Sequence, residues 1–210
     1  MKTLLVINPQ NDFYIEGSPR YNMDNEYVVD KIVELIENDK EINEIILAIT
    51  SHPFDHKMFG SATGGCEKYC VTDTDGEKII KKIDSIYKKK NKSRKIKCKT
   101  YVRGTLKDYP EYSAAPYSEH VDDKLVLKSS TDFAVVNNDT LIICGFDGDL
   151  EITSTLNDIA KTNSLNNVEL YMAGIGSTND NILTTYVEDE NIKTYVPNFW
   201  IYFVDFYILN

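Results

Sequence analysis

The segment from Thr140 to Ala160, TLIICGFDGDLEITSTLNDIA, constrains the fold of this 210-residue chain more than any other. It begins with a continuous apolar run at 141–144, of the kind found in central parallel strands that are covered on both faces. The chain turns at Gly145, and after an acidic loop apolar residues recur at three-residue steps, as on one face of a helix. In open α/β sheets, binding sites lie at the carboxyl ends of such strands. We therefore expect a functional site between Phe146 and Glu151.

Further apolar runs alternate with helix-like patterns along the chain. Strands are predicted at 3–8, 44–50, 124–129, 168–173 and 192–196, and helices near 24–37, 79–86 and 179–186. This alternation predicts a three-layer α/β/α fold, with a mostly parallel, doubly wound sheet of about six strands. A single domain spanning residues 1–210 is expected, with a basic insertion at about 57–99. The aromatic run 200–209 fits a last strand or a subunit interface.

Charge limits the partners of this chain. The formal net charge is −10 at pH 7, which argues against nucleic-acid binding. Basic residues concentrate at 78–99, where 11 Lys or Arg accompany a single acid, Asp84. This basic island either binds an anion or an acidic partner, or it is a solvated and mobile insertion.

Membrane and secretory signals are not found in the sequence. No run reaches the roughly 18 apolar residues that a membrane helix needs, and Met1-Lys2 leads directly into the first predicted strand. A cytoplasmic protein without membrane attachment is therefore expected. Cys144 is expected to pack as a small hydrophobe. Cys66, Cys70 and Cys98 would need a fourth ligand to form a structural zinc site.

Residues 4–13, 52–59, 100–105 and 145–155 carry, in this order, a pattern that resembles the isochorismatase-like superfamily of cysteine hydrolases. The nearest branch is the nicotinamidase and pyrazinamidase group. The four segments are similar to the family motifs apolar-Asp-x-Gln-x-Asp-Phe, Asp-Trp-His-Pro-x-x-His-x-Ser-Phe, His-Cys-Val-x-Gly-Thr and Gly-x-x-x-Asp-x-Cys-Val-x-x-Thr. The resemblance implies the α/β fold predicted above and a homo-oligomer.

The resemblance also implies a mechanism. In that family a Cys at a helix start attacks a carbonyl, an Asp at the end of strand one takes its proton, and a Lys at the end of strand three supports the charges. Backbone amides before the Cys hold the oxyanion. Carried over by position, these catalytic positions are Asn8, Lys128 and Glu151. An amide cannot act as a general base, and a carboxylate is a poor substitute for a thiolate, so thiol hydrolysis is expected to be lost.

Two hypotheses follow for the function. In the first, Lys128 and Glu151 form an ion pair that fills the former active site, because a buried lone ammonium is costly, and Asn8 bonds to one of them. The chain would then be a pseudoenzyme that binds a small-molecule ligand or a partner, with Phe13, Phe146 and Asp147 as substrate-binding positions. In the second, it is an active hydrolase of small amides or related molecules, in which Glu151 or a metal activates water.

A cofactor is not expected, although His52 and His56 match two metal ligands of the family. The family acid two residues before the first His is Thr50 here, and the His of the third segment is Thr100. The two histidines therefore either hold zinc or another divalent metal weakly, or make hydrogen bonds that structure the loop.

Overall fold

The computed structural model describes residues 1–60, 65–115, 117–121, 124–128, 139–162, 165–178 and 180–199, with the backbone alone at 117–121, 124–128, 162 and 180. Within these ranges, eight strands form one sheet. They are β1 (Lys2–Ile7), β2 (Ile42–Thr50), β3 (Lys97–Arg103), β4 (Tyr117–Val121), β5 (Lys124–Lys128), β6 (Thr140–Phe146), β7 (Val168–Gly176) and β8 (Lys193–Thr194). The main helices are α1 (Asn25–Asn38), α2 (Lys81–Ser93), α3 (Thr153–Thr162) and α4 (Asp180–Asp189).

The strand order is β5-β4-β3-β2-β1-β6-β7-β8. The six strands from β3 to β8 along this order pair in parallel, and β4 and β5 add an antiparallel hairpin at one edge. The predicted α/β class with a mostly parallel, doubly wound sheet is thereby confirmed. Six parallel strands with helical crossovers place the carboxyl ends of β1, β2, β3 and β6 at one edge of the sheet.

The core has two halves, one on each face of the sheet. Alternate residues of β1 serve opposite faces, since successive side chains of a strand point to opposite sides. Leu4 and Val6 pack in a cluster with the apolar faces of α1 and α2. Leu5 and Ile7 pack in a second cluster with α3 and with Leu183 of α4. The sheet is thus covered by helices on both faces, as the continuous apolar runs indicate.

The third parallel strand differs from its prediction. The third predicted strand is 124–129, whereas the third strand of the structure, β3, is Lys97–Arg103 and pairs with β2. Residues 124–128 instead form β5, the outermost strand of the sheet. The prediction was wrong because KCKTYVR has no continuous apolar run: most of β3 is only half-buried. Its lysines are balanced by Glu44 on β2, which pairs with Lys97 and Lys99.

The basic island supplies regular elements of this sheet. Its residues form α2, which packs against α1 with Ile83 and Ile86 buried, and the first three residues of β3. Several of its lysines pair with acids of α1, among them Lys82 with Asp30 and Lys89 with Glu37. Within the described ranges, no helix is both long and apolar enough to cross a membrane. The aromatic run at 200–209 lies outside the described residues.

Candidate functional site

Three side chains from different elements meet below the carboxyl edge of the sheet. Asn8 follows β1, Arg103 ends β3, and Glu151 lies in the π-helical turn Gly148–Ile152 between β6 and α3. Their exposed fractions are 0%, 1% and 0%. Gly145 in β6 allows the backbone to lie close to Ile7 of β1, since its φ of +118° suits glycine and an added Cβ would stand 2.0 Å from the carbonyl oxygen of Ile7.

The guanidinium of Arg103 is the centre of this cluster. Its Nη2 forms a buried ion pair with Oε2 of Glu151 and donates to Oδ1 of Asn8 at 2.5 Å. Its Nη1 donates to the backbone carbonyl of Glu111 at 3.0 Å. Arginine suits this position because its planar fork of five donors can serve several acceptors at once. A charge this deeply buried is stabilised only while its partners are present.

Both carboxylate oxygens of Glu151 are engaged. Oε2 accepts from Arg103, and Oε1 accepts from the hydroxyl of Tyr69 at 3.1 Å. The backbone amide of Glu151 donates to the carbonyl of Asp147 at 2.8 Å within the turn. The start of a helix also favours a negative charge, because the macrodipole is positive there. The carboxylate therefore has neither exposed surface nor a free oxygen with which to activate water.

Asn8 is held in an uncommon backbone conformation. Its φ is +50°, in the left-handed region that asparagine tolerates better than most residues. Its backbone amide donates to the backbone carbonyl of Ala48 at 2.8 Å. Its side-chain Oδ1 accepts from the hydroxyl of Thr50 at 2.9 Å and from Arg103, while Nδ2 has no partner among the described residues. The side chain acts as an acceptor for the guanidinium and binds no proton.

Tyr69 joins this cluster to a group of aromatic rings. It is buried, and its ring packs edge-on against Phe13 and His52, with centroid distances of 5.9 Å and 5.1 Å. Burial, together with the negative charge of Glu151, raises the pKa of Tyr69 well above its usual range. The phenol therefore stays protonated and donates its hydrogen bond to Glu151. The site predicted from the sequence did not include Tyr69.

His52 and His56 are both buried, with ring centroids 4.7 Å apart. Nδ1 of His52 donates to the carbonyl of Gly104 at 2.9 Å, while Nε2 has no partner in the described part of the chain. His56 uses both nitrogens, since Nδ1 accepts from the amide of Met58 and Nε2 donates to the carbonyl of Tyr109, each at 3.2 Å. Burial lowers the pKa of His52 to about 4, so the ring is neutral at neutral pH.

A cavity of about 90 Å³ adjoins Tyr69 through Phe13 and Arg20, which contact its ring. Phe13 and Phe146 stack in its wall, with centroids 5.9 Å apart and an interplanar angle of 18°. The three predicted substrate-binding positions, Phe13, Phe146 and Asp147, all line this cavity, and residues 19–22, Asn25 and 176–178 complete it. Its volume is below the roughly 300–1,000 Å³ of drug-sized pockets, so the cavity suits only a small molecule.

The polar wall of the cavity contains a pair of carboxyl groups. Burial raises the pKa of Asp147 to about 8, a hydrogen bond with Asp149 adds to the effect, and Arg20, 3.4 Å away, opposes it. Asp149 accepts from the hydroxyls of Ser177 and Thr178 at 2.8 Å and 2.9 Å. Although burial raises the pKa of Asp149, these hydrogen bonds and that from Asp147 bring it below its usual range. At neutral pH, Asp147 therefore carries the proton that the pair shares.

Solved structures match the fold of this protein over most of the chain. The yeast nicotinamidase matches with a TM-score of 0.72 at 19% identity, over 92% of this chain and 99% of that one. The fold is that of the nicotinamidases. The Pyrococcus horikoshii pyrazinamidase in complex with zinc matches with a TM-score of 0.66 at 18% identity, over 92% of this chain and 98% of that one. PnC1 of L. infantum in complex with nicotinate matches with a TM-score of 0.69 at 18% identity, over 92% of this chain and 91% of that one. No family model and no curated protein matches the sequence.

The cation that the described residues place beside Glu151 is Arg103, while the pairing of Lys128 with Glu151 stays a prediction. Lys128 ends β5 at the outer edge of the sheet, and its side chain lies outside the described residues. The family lysine stands at the end of strand three, and in this nicotinamidase fold the third strand is β3, which ends at Arg103. The correct register of β3 would have pointed to Arg103, because the residue that ends the third strand faces the same edge as Asn8.

The match of residues 100–105 to the third family segment stays a prediction, and a second segment of the chain shares part of the same motif. Thr100 lies within β3, where its hydroxyl is 3.2 Å from that of Tyr87. The segment 69–74, YCVTDT, carries the Cys, Val and Thr of His-Cys-Val-x-Gly-Thr, with Tyr69 at the histidine position. Asp73 stands where the motif has glycine, and its φ is +65°, as a glycine position would require. This positional signal was present in the sequence.

The zinc in the Pyrococcus horikoshii structure prompts a test of whether this chain fits a metal. Zinc in proteins takes three or four nitrogen, sulfur or oxygen ligands from side chains. Within the described ranges, no group of three or more His, Cys, Asp or Glu side chains could hold a metal ion. Thr50, two residues before His52, donates instead to Asn8, and both nitrogens of His56 are engaged. The residues present do not fit a bound metal.

Proposed function

We propose that this chain is a nicotinamidase-fold pseudoenzyme, which binds a small molecule and has lost thiol hydrolysis. The observation that carries the proposal is the closed environment of Glu151: Arg103 and Tyr69 occupy its two oxygens, and it has no exposed surface. On the family pattern, Glu151 takes the position of the nucleophile and Asn8 that of the base. Arg103 takes the position of the supporting cation.

The chemistry of these side chains supports the loss of hydrolysis. An amide such as Asn8 has no useful proton affinity near neutral pH. A carboxylate would have to form an acid anhydride while expelling an amine, which makes Glu151 a poor nucleophile. Catalysis of water attack by Glu151 would first require its two hydrogen-bonded partners to leave. With no fitting metal site in the described residues, a metal-activated water has no ligands to support it.

The net charge of the site supports the view that these positions changed together. The family set of Asp, Lys and neutral thiol sums to zero, and so does the set of Asn8, Arg103 and Glu151. A buried cation needs a compensating anion, because its desolvation costs several kcal/mol. The carboxylate has in effect moved from the end of β1 to the start of α3, so the neutral sum is kept while the reactive groups are absent.

The cavity beside the cluster supports ligand binding. Its stacked phenyl rings, Phe13 and Phe146, offer an apolar wall for a flat molecule. The rest of the wall offers hydrogen bonds from polar side chains, chiefly the guanidinium of Arg20, the carboxyl group of Asp147 and the hydroxyl of Thr178. We therefore propose a small, flat ligand with polar groups at its edge.

Activity is tested by ammonia release from nicotinamide, pyrazinamide and other small amides, with and without added zinc or manganese. We expect no turnover above that of a boiled sample. Glu151→Gln is the matched control, since it keeps the shape and removes the charge. Turnover by the natural chain that Glu151→Gln abolishes would refute the pseudoenzyme proposal and favour the hydrolase alternative.

Ligand binding is tested by thermal denaturation with the same amides and the corresponding acids as probes. A ligand that binds the folded chain raises Tm in proportion to the logarithm of its concentration once the site is saturated. We expect such a rise for at least one probe, its loss in Arg20→Gln, and its retention in Lys161→Gln, a change at an exposed ion pair with Asp158. No rise for any probe at millimolar concentration, or a rise that Arg20→Gln leaves intact, would count against this cavity.

We also propose that the chain forms a homo-oligomer, on the basis of its aromatic run at 200–209. That run lies outside the described residues, so the proposal depends on its sequence alone. Light scattering on the full chain is the test, and a monomer at high micromolar concentration would refute it.

A further inference from the structure

We infer that Tyr69 stands in place of a third metal ligand of this fold: its ring centroid lies 5.1 Å from that of His52, and its hydroxyl donates to Glu151. Among the described residues, the His52–His56 pair does not form a metal site, because both nitrogens of His56 are engaged in hydrogen bonds. This role of Tyr69 does not depend on the proposed ligand or on the loss of hydrolysis. Its basis is the geometry of four buried or half-buried rings: His52, His56, Phe59 and Tyr69.

The spacing of the rings is that of a metal site. Three imidazoles on one tetrahedral zinc have centroids roughly 5 Å apart, since each Zn–N bond is about 2 Å and each centroid lies about 1 Å further out. The centroid of His52 is 4.7 Å from that of His56 and 5.1 Å from that of Tyr69. Tyr69 thus stands at the distance from His52 that a third imidazole would take, but it presents carbon atoms there.

His52 keeps the orientation of a metal ligand. Metal-binding histidines usually donate their second ring N–H to a carbonyl or a carboxylate, which aims the other nitrogen at the metal. Nδ1 of His52 donates in this way to the carbonyl of Gly104, and Nε2 is buried with no partner in the described part of the chain. Tyr69 meets the ring of His52 edge-on at 81°, and Phe59 does so at 90°. Two carbon-rich rings therefore pack against the histidine whose Nε2 has no partner in the described part of the chain.

The hydroxyl of Tyr69 connects this place to the cluster around Glu151. It donates to Oε1 of Glu151 at 3.1 Å, and Arg103 holds the other oxygen. A histidine at position 69 could serve as a metal ligand, but it would leave Oε1 of Glu151 without the hydroxyl donor of Tyr69. A cysteine at position 151 would leave the phenol without its acceptor. Tyr69 and Glu151 therefore form one buried unit between the histidine rings and the Arg103 cluster, and each side chain needs the other as its hydrogen-bond partner.

The test is a zinc titration of the full chain by calorimetry, with cobalt absorption as a second readout of ligand geometry. The natural chain, Tyr69→His and Tyr69→Phe are compared, the last as the control that removes the hydroxyl without adding a ligand. Outer-sphere partners alone contribute about 10- to 100-fold to metal affinity, and a direct ligand contributes at least as much. We therefore expect Tyr69→His to bind zinc at least about 100-fold more tightly than Tyr69→Phe, and His52→Ala to abolish that gain.

Two results would overturn the inference. One is stoichiometric zinc in the natural chain that is lost in His52→Ala, because the rings would then not exclude a metal. The other is a folded Tyr69→His, judged by circular dichroism, that binds zinc no better than Tyr69→Phe. If Tyr69→His does not fold, Tyr69→Cys places a smaller ligand at the same position and is judged by the same comparison with Tyr69→Phe.

Discussion

Replacing Arg103 with methionine keeps an unbranched apolar stem and removes the cation of the buried cluster. Glu151 would then be fully buried without an opposing charge, and Asn8 and the carbonyl of Glu111 would each lose a donor. Removing one partner of a buried ion pair typically costs about 3–5 kcal/mol. For a chain of this size about 1 kcal/mol shifts Tm by roughly 2–4 °C, so we expect Tm to fall by about 6–20 °C.

Urea unfolding followed by circular dichroism measures this loss directly. Lys89→Met is the matched control, since it removes a cation from an exposed pair in which the side chains of Lys89 and Glu37 are 70% and 49% exposed. Exposed pairs contribute about 0–1 kcal/mol, so the control should unfold almost as the natural chain does. The difference between the two variants isolates the effect of burial from that of losing a positive charge.

The double variant Arg103→Met with Glu151→Leu completes the cycle. Replacing a buried ion pair by apolar side chains of similar volume is often neutral or stabilising, so we expect the double variant to regain most of the stability that Arg103→Met loses. The coupling energy of the cycle then measures the interaction. A loss below about 1 kcal/mol for Arg103→Met, or a double variant as unstable as the sum of the singles, would refute this view of the cluster.

Two further predictions concern the neighbours of this pair. Because burial raises the pKa of Asp147 from 3.8 to about 8, the folded chain binds more protons than the unfolded chain between about pH 4 and 8, so this group lowers stability as pH rises through that window. Asp147→Asn keeps a donor to Asp149, and Tm measured across the window should fall less than in the natural chain; an unchanged slope would contradict the assignment. Tyr69→Phe leaves Oε1 of Glu151 unpaired and should cost about 1–3 kcal/mol in urea unfolding. The exposed pair of Tyr186 with Asn157 provides the control, Tyr186→Phe, with a cost within about 0.5 kcal/mol.

The central strands and the edge that holds the site could be predicted from local sequence. β1, β2, β6 and β7 are covered on both faces, so they appear as continuous apolar runs. The position of Asn8 after β1 and of Glu151 after β6 follows from the parallel pairing of these neighbouring strands. The burial of the strands is enough to predict both positions, because a polar residue that follows a buried parallel strand lies at the carboxyl edge of the sheet.

The cation and the phenol of the site could not be found in this way. β3 is half-buried and rich in lysine, because Glu44 on β2 compensates its charge, and a strand stabilised by ion pairs has no apolar run. The contact between Tyr69 and Glu151 joins residues 82 positions apart, which local periodicity does not report. The family motif predicts its third segment at 100–105, so it does not point to position 69 either.

Charge explains why the substitutions around Glu151 depend on one another. A cysteine at position 151 beside Asn8 would leave the guanidinium of Arg103 buried without an anion. An aspartate at position 8 beside Glu151 would place two carboxylates on one guanidinium, and the second would carry an uncompensated buried charge. Either single change therefore destabilises the site, and only the paired exchange keeps its sum at zero. The same reasoning extends to Tyr69, whose hydroxyl satisfies the second oxygen of a carboxylate that a thiol would not present. A carboxylate at position 151 thus favours an uncharged side chain at position 8 and a hydrogen-bond donor at position 69, and this chain has all three.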